Sequence, residues 1–170
     1  MAWTKSGLYI GTITALLKQT ALTGETRGTG VFLTTTNKIA LHSNALTDGT
    51  SPINFSLATP TWVNTSEVSG TGWAAGGVLL SAAAAGATST APTLTESPTG
   101  SVMYDMADVA VSSTTLTNLR GCIIYADAIS AVITDANVIA VTFGADYSTV
   151  AGTLTITWDA LGVCAIDITP

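Results

Sequence analysis

Near the C-terminus the chain reads TLTITWDALGVCAIDI, and the period of two in this stretch constrains the fold more than any other feature. Leu154, Ile156 and Trp158 alternate with Thr153, Thr155 and Thr157, so an extended strand puts three large apolar side chains on one face and three threonines on the other. Asp159-Ala160-Leu161-Gly162 follows with turn chemistry, and Cys164, Ile166 and Ile168 then alternate with Ala165 and Asp167. The pattern predicts a β-hairpin with Ile156 and Trp158 on its core face.

Upstream, SVMYDMADVAV, LRGCIIYADAI and VIAVTFG follow one another with turn residues between them. Short strands at this spacing predict an all-β chain, an antiparallel β-sandwich of jelly-roll or immunoglobulin-like type with roughly eight strands. At 170 residues the chain has the length of one domain, and residues 1–170 are expected to form a single sandwich. The N-terminal residues 1–22 predict a short amphipathic helix, with Tyr9, Ile13, Leu16 and Leu17 at helical spacing and Lys5 and Lys18 off that face. This helix explains the segment better than a signal peptide, because Gly7, Gly11, Thr12 and Thr14 dilute its apolar run and no small-residue cleavage site follows. No apolar stretch is long enough to span a bilayer.

Between these two regions, KIALHS (Lys38 to Ser43) alternates as a half-buried strand does, and Asn44 to Pro60 reads as a long loop ordered by its neighbours. Gly77 to Ala85 (GVLLSAAAA) is short, apolar and flanked by glycines, which predicts a strand. The Ala-rich and Pro/Thr-rich stretch 82–100 predicts an exposed insert or β-excursion.

Composition explains how such a chain is wetted. Charged residues make up 9% of it and hydrophobic residues 47%, against roughly 25% charged in an average soluble domain. Thirty-one threonines fill the gap, and a β-branched hydroxyl residue suits the solvent face of a strand. The net charge of −6 comes with no basic cluster, which argues against a nucleic-acid partner. A surface so poor in charge also suggests coverage by other chains, in a homo-oligomer or in a larger assembly.

The search for chemistry begins with EVSGTGWAAGG, in which Gly70, Gly72 and Ala75 match the glycine pattern of a dinucleotide-binding turn and Glu96 lies near the distance expected for the ribose-binding acid. The context opposes that match. The preceding TWVNTSEV is polar and alternating, Gly76-Gly77 would break the required helix, and Glu96 sits among prolines. The glycines are expected instead to let the loop turn tightly and bring Trp73 back onto the sheet.

His42, the one histidine, reads as a structural strand residue rather than a general base, and no glycine-flanked serine elbow accompanies it. Cys122 and Cys164 lie in apolar runs and read as buried thiols; with a single histidine they cannot assemble a zinc site. Asp105 and Asp108, in YDMAD, read as solubilising turn carboxylates rather than an acid/base or Ca²⁺ pair. The sequons Asn54-Phe55-Ser56 and Asn64-Thr65-Ser66 are ascribed to chance in a Ser/Thr-rich chain. No catalytic, cofactor-binding or metal-ligating residue is therefore assigned, and no cofactor is expected.

The order of the pieces carries a resemblance. A short N-terminal helix, KIALHS, EVSGTGW-x-AGG, then D-x-x-D-V preceding S-T and the apolar I-I-Y strand, VIAVTFG and the closing TITW segment together resemble a family of small virion structural proteins of tailed bacteriophages. The insert 82–100 and the YST turn near Ser148 depart from that pattern. The resemblance implies a non-enzymatic particle component that is assembled in the bacterial cytoplasm and located in the virion. Its implied partners are the major capsid protein or other virion proteins, with no membrane partner. Two roles stay open: a capsid decoration or cement protein, and a tail, neck or fibre component that touches the host. The dispersed tryptophans Trp3, Trp62, Trp73 and Trp158, which form no glycan-binding cluster in the sequence, favour decoration.

Overall fold

Two strands of unusual length dominate the molecule. A computed structural model of the chain describes residues 3–17, 36–80, 92–96, 101–127 and 133–167. In it β7 (Val109–Ala126) and β8 (Ala136–Ile156) pair antiparallel along their length, from Val109 opposite Ile156 to Ala126 opposite Ala136. At the Ala126 end this ribbon is flanked on both sides. β2 (Asn37–Ser43) pairs with β7, and β1 (Gly7–Leu8) pairs with β8. β3 (Glu67–Val68) and β4 (Val78–Leu79) both pair with the outer side of β2, completing a six-stranded antiparallel sheet. A second antiparallel sheet contains β5 (Thr93–Glu96), β6 (Ser101–Asp105) and β9 (Cys164–Asp167), in the order β5-β6-β9. With the short helix α1 (Ile10–Leu17), the chain is mainly all-β, built on two antiparallel sheets.

The ribbon bends because its register slips repeatedly. Between Val111 and Thr114, and again between Leu116 and Leu119, β7 carries one residue more than β8. Ser113 and Asn118 lie in those two intervals at φ 57° and 56°. Between Thr114 and Leu116 the extra residue is on β8, where Ala151 has φ 48°. Each extra residue is a β-bulge, which sharpens the local twist and turns the strand. The widest slip lies between Leu119 and Gly121, opposite which β8 runs from Tyr147 to Thr142 with three extra residues.

One face of the six-stranded sheet meets the main core, in which Ile39 and Leu41 of β2, Cys122 and Ile124 of β7 and Val138 and Ile139 of β8 pack with Trp73, Tyr104, Leu116, Leu154 and Ile156. Tyr104 extends into this core from the second sheet. The opposite face is also covered. Trp3, Tyr9, Leu46 and Ile53 pack there with Ile123 and Ala140, and Phe55 and Trp62 lie against them. The loop from Asn44 to Pro60 thus acts as a second layer: it is tied down by the Tyr9 hydroxyl donating to the Pro52 carbonyl at 2.7 Å and by the Ile10 amide donating to the Phe55 carbonyl at 2.9 Å.

Four expectations change at this level. β2 is buried on both faces rather than half-buried, because the loop layer covers the side that the alternation assigned to solvent. Helix is confined to Ile10–Leu17 among the described residues of the 1–22 segment; the residues before it run extended, and β1 satisfies backbone groups on the edge of β8 that a helix could not reach. The strand expected over Gly77 to Ala85 is β4, two residues long, with residues 81–85 outside those described. The closing hairpin does not form. The chain turns at Asp159–Gly162 as expected, with the Gly162 amide donating to the Asp159 carbonyl at 2.8 Å, but β9 then pairs with β6 and not with β8. The Val163 amide, bonded to the Tyr104 carbonyl at 2.9 Å, commits the chain to the second sheet immediately after the turn. Of the 82–100 insert, the described part is β5, an exposed edge strand on β6.

Candidate functional site

The glycine motif folds on itself. Gly70 and Trp73 exchange both backbone hydrogen bonds, at 2.9 and 3.0 Å, so Thr71 and Gly72 form the tip of a tight turn and Trp73 is returned to the core at 1% exposure. Gly76 and Gly77 follow at φ +81° and +72°, a backbone that side chains rarely adopt, and a Cβ on Gly77 would collide with the Ile39 carbonyl of β2. Both amides point inward: those of Gly76 and Gly77 donate to Oε1 of Glu67 at 2.6 and 3.1 Å. The Gly76 carbonyl accepts from the Tyr125 hydroxyl at 2.6 Å. This is not the strand-turn-helix of a dinucleotide site. β3 is antiparallel to its neighbour β2, the next element after the motif is the strand β4, and Glu96 lies on β5 in the other sheet. The amides of Gly76 and Gly77, which an anion would need, already hold a carboxylate of the chain itself.

His42 is fully buried on β2, with Nδ1 3.0 Å from the Thr65 carbonyl, an arrangement that places the proton on Nδ1. Among the described residues Nε2 has no hydrogen-bond partner, and burial lowers the imidazole pKa to about 4. A histidine sealed in this way cannot exchange protons with a substrate in the cleft-facing manner of a general base. Asp108 accepts from the Trp158 amide at 3.0 Å and so pins the end of β8. Asp105 closes β6 opposite Thr93. Cys122 and Cys164 are both free thiols; burial pushes the first up to about 12 and the second up to about 11, far from the thiolate that nucleophilic chemistry needs.

All four tryptophans serve the interior. Trp3 and Trp73 are buried, and Trp62 stacks on Tyr125 with ring centroids 4.7 Å apart and planes 10° apart. Trp158 is half-buried against the main core, where its indole N–H donates to the Ala107 carbonyl at 3.2 Å.

The most distinctive open surface lies along β8. From Thr142 to Ile156 no strand pairs with its outer side among the described residues, since β1 covers Ile139 and Ala140 alone. A pocket of about 530 Å³ on this ribbon is lined by Leu119 of β7, by Phe143, Tyr147, Leu154 and Ile156 of β8 and by neighbouring threonines. Tyr147 is 52% exposed and Val150 83%, a large exposure for side chains of this type. Between Thr142 and Thr157 the single charged residue is Asp146, and the Arg120 guanidinium neutralises it at 3.2 Å. This surface was not among the sites expected from the sequence. Its signal was present in TFGADYSTVAG, an extended stretch with exposed apolar residues and almost no charge. Among the described residues no group of His, Cys, Asp and Glu side chains could hold a metal ion, and no helix is long and apolar enough to cross a membrane. Comparison with protein-family models, with curated proteins and with solved structures found no match to this chain.

Proposed function

We propose that this protein is a non-enzymatic structural component of a tailed-bacteriophage virion, acting as a capsid decoration or cement protein that binds the major capsid lattice. The observation that carries the reading is the charge-poor, threonine-walled surface of β8, where apolar side chains stand exposed around a groove. Such a surface suits contacts made by apolar area and by backbone and hydroxyl hydrogen bonds, as in a repeating assembly whose interfaces must stay closed. The internal use of all four tryptophans favours decoration over a host-touching fibre, because a glycan-binding face displays aromatic rings to solvent. The order of sequence motifs, which resembles that of small phage virion proteins, points the same way.

The test is copy number in purified virions of the encoding phage, read from a quantitative stained gel. Hundreds of copies per particle are expected. A dozen or fewer would transfer the protein to the neck or tail, and absence from the particle would overturn the proposal. A second measurement is a salt wash. Screening weakens exposed ion pairs and leaves apolar burial intact, so the protein should stay on the particle in molar NaCl and leave in mild urea.

A further inference from the structure

We propose that the pocket on the β7–β8 ribbon is a binding site for a small, uncharged and mainly apolar molecule of one or two rings, held by Phe143, Tyr147, Leu154 and Ile156 and bonded at one end by rim hydroxyls. The inference goes beyond the virion reading and does not rest on it, since it concerns the purified chain alone. Three observations carry it.

The first is how the pocket is made. In a straight strand Phe143 and Thr157 would stand about 46 Å apart, at roughly 3.3 Å per residue. Both nevertheless line one pocket of about 530 Å³, so the ribbon is curved around it. β8 carries three extra residues between Thr142 and Tyr147 and one more between Thr149 and Gly152. Gly144, at φ +77°, lies in the first excursion, and Ala151, at φ 48°, lies in the second. The alanine is the more telling, because a residue with a side chain persists in such a backbone only where the surrounding structure fixes it, and such strain gathers at binding sites. Bulges placed in this way re-aim side chains. The first excursion sets Phe143 and Tyr147 edge to face, with ring centroids 6.3 Å apart and planes 73° apart, and both rings border the pocket.

The second is continuity with the core. Leu119, Leu154 and Ile156 belong to the main core and Phe143 packs against it, yet each also borders the pocket. The space is thus an opening on the flank of the core and not a dip in a polar surface. An apolar guest there takes its own surface and that of the core side chains out of water together. Its size falls within the range of small-molecule pockets, roughly 300–1,000 Å³.

The third is polarity. No lining residue carries a charge, and the Asp146 carboxylate nearby in the strand is paired with Arg120 at 3.2 Å. A charged guest would lose hydration and meet no counter-ion. Among the lining hydroxyls, that of Thr149 accepts from the Thr114 hydroxyl at 2.9 Å and that of Ser148 accepts from the Asn118 amide at 3.1 Å. Tyr147, Thr153, Thr155 and Thr157 are exposed, and their hydroxyls have no such bond among the described residues. These four can bond one hydroxyl, amine or carbonyl on the guest. The ligand class is therefore a neutral aromatic or alicyclic compound with a single polar group.

The experiment is a fluorescence titration of the purified full-length chain with N-phenylnaphthylamine, an uncharged two-ring amine, and with anilinonaphthalenesulfonate, the same skeleton carrying a sulfonate. Saturable binding of one equivalent of the neutral probe is expected, with the sulfonate at least tenfold weaker. Tyr147→Asp puts a carboxylate into the lining at an exposed position and should weaken the neutral probe at least tenfold while circular dichroism stays unchanged. Val150→Asp, exposed in the same stretch but outside the lining, should leave the affinity within about twofold. Absence of saturable binding overturns the proposal, and so does equal affinity for the two probes. Binding that Tyr147→Asp leaves intact, or that Val150→Asp weakens as much, places the probe elsewhere and overturns it as well.

Discussion

The two halves of the β7–β8 ribbon are made from the same pair of strands and live in different environments. From Leu119 to Ala126 and from Ala136 to Val141 the ribbon is central, flanked by β2 and β1 and packed on both faces, and nearly every residue is buried. From Val109 to Asn118 and from Phe143 to Ile156 it is covered on one face, with buried Val109, Thr114, Leu116, Leu154 and Ile156 separated by exposed neighbours. The sequence differs in the same way. GCIIYA and NVIAV are continuous apolar runs, whereas STTLTN and GTLTI alternate. A strand with both faces in the core carries apolar residues at most positions, with few polar ones such as Asn137 buried among them, and a strand with one face in water carries a polar residue at every second position. Burial is thus a property of the layer above the strand, and one strand can cross from one regime to the other where bulges turn it.

The largest expected break falls on the central half. Trp3 is fully buried, and its ring lies over Gly121 of β7, which has room for no side chain because a Cβ would strike both the Val141 carbonyl and the indole. Trp3→Ala should cost about 3–5 kcal/mol, read from a thermal or urea melt, by opening a cavity under the loop layer. If the loss is under about 1 kcal/mol, the second layer is not part of the cooperative core. In the outer half, Leu154→Ala should cost about 2–3 kcal/mol, toward the lower end for a leucine, because the open edge lets the site relax.

The pH dependence should come from the central half too. His42 has a folded-state pKa of about 4, lowered from 6.5 by burial, so between those values the unfolded chain takes up a proton that the folded chain refuses. Stability should therefore fall as pH drops from about 6.5 to about 4, by roughly 3 kcal/mol at about 1.4 kcal/mol per pKa unit, and gain nothing further from this group above pH 6.5. His42→Leu should flatten that part of the profile in urea melts run across the window. An unchanged slope in the variant would place the titration elsewhere. The smallest effect is expected on the outer face of the ribbon. Thr155→Ala should shift stability by no more than about 0.5 kcal/mol, since the side chain is exposed. Amide hydrogen exchange sharpens the same contrast: Cys122 to Tyr125 should exchange near the global unfolding limit and Tyr147 to Ala151 much faster.

Much of this organisation was legible in the residues. Strand character in LRGCIIYADAI, VIAVTFG and TLTITW, the Asp159–Gly162 turn and the return of Trp73 through the glycine motif follow from period and turn chemistry. The turns expected between those strands do not form, because Val109–Ala126 and Ala136–Ile156 each run on as one strand through SSTTLTN and through the YST segment; Asp108 holds the Trp158 amide where a solubilising carboxylate was expected, and Cys164 is only partly buried. The remaining errors were errors of partner. TLTITW and GVCAI carry every local sign of a hairpin, yet hairpin signals report only that two strands are close in sequence and separated by a turn. The Asp108 carboxylate on the Trp158 amide and the Tyr104 carbonyl on the Val163 amide draw the chain to the second sheet.

Likewise nothing in KIALHS says that a loop of prolines and polar residues will roof it. The alternation that predicted a wet face for β2 was overridden by Trp3, Tyr9, Ile53 and Trp62 arriving from positions before and after it in the chain. By itself the sequence determined which segments are extended, the turns at Gly70–Trp73 and Asp159–Gly162 and which residue types wet its surface, because these depend on neighbours a few positions apart. Which strand pairs with which, which faces are sealed and which side of β8 has no partner strand among the described residues were decided by the tertiary structure, because they depend on where distant segments come to lie.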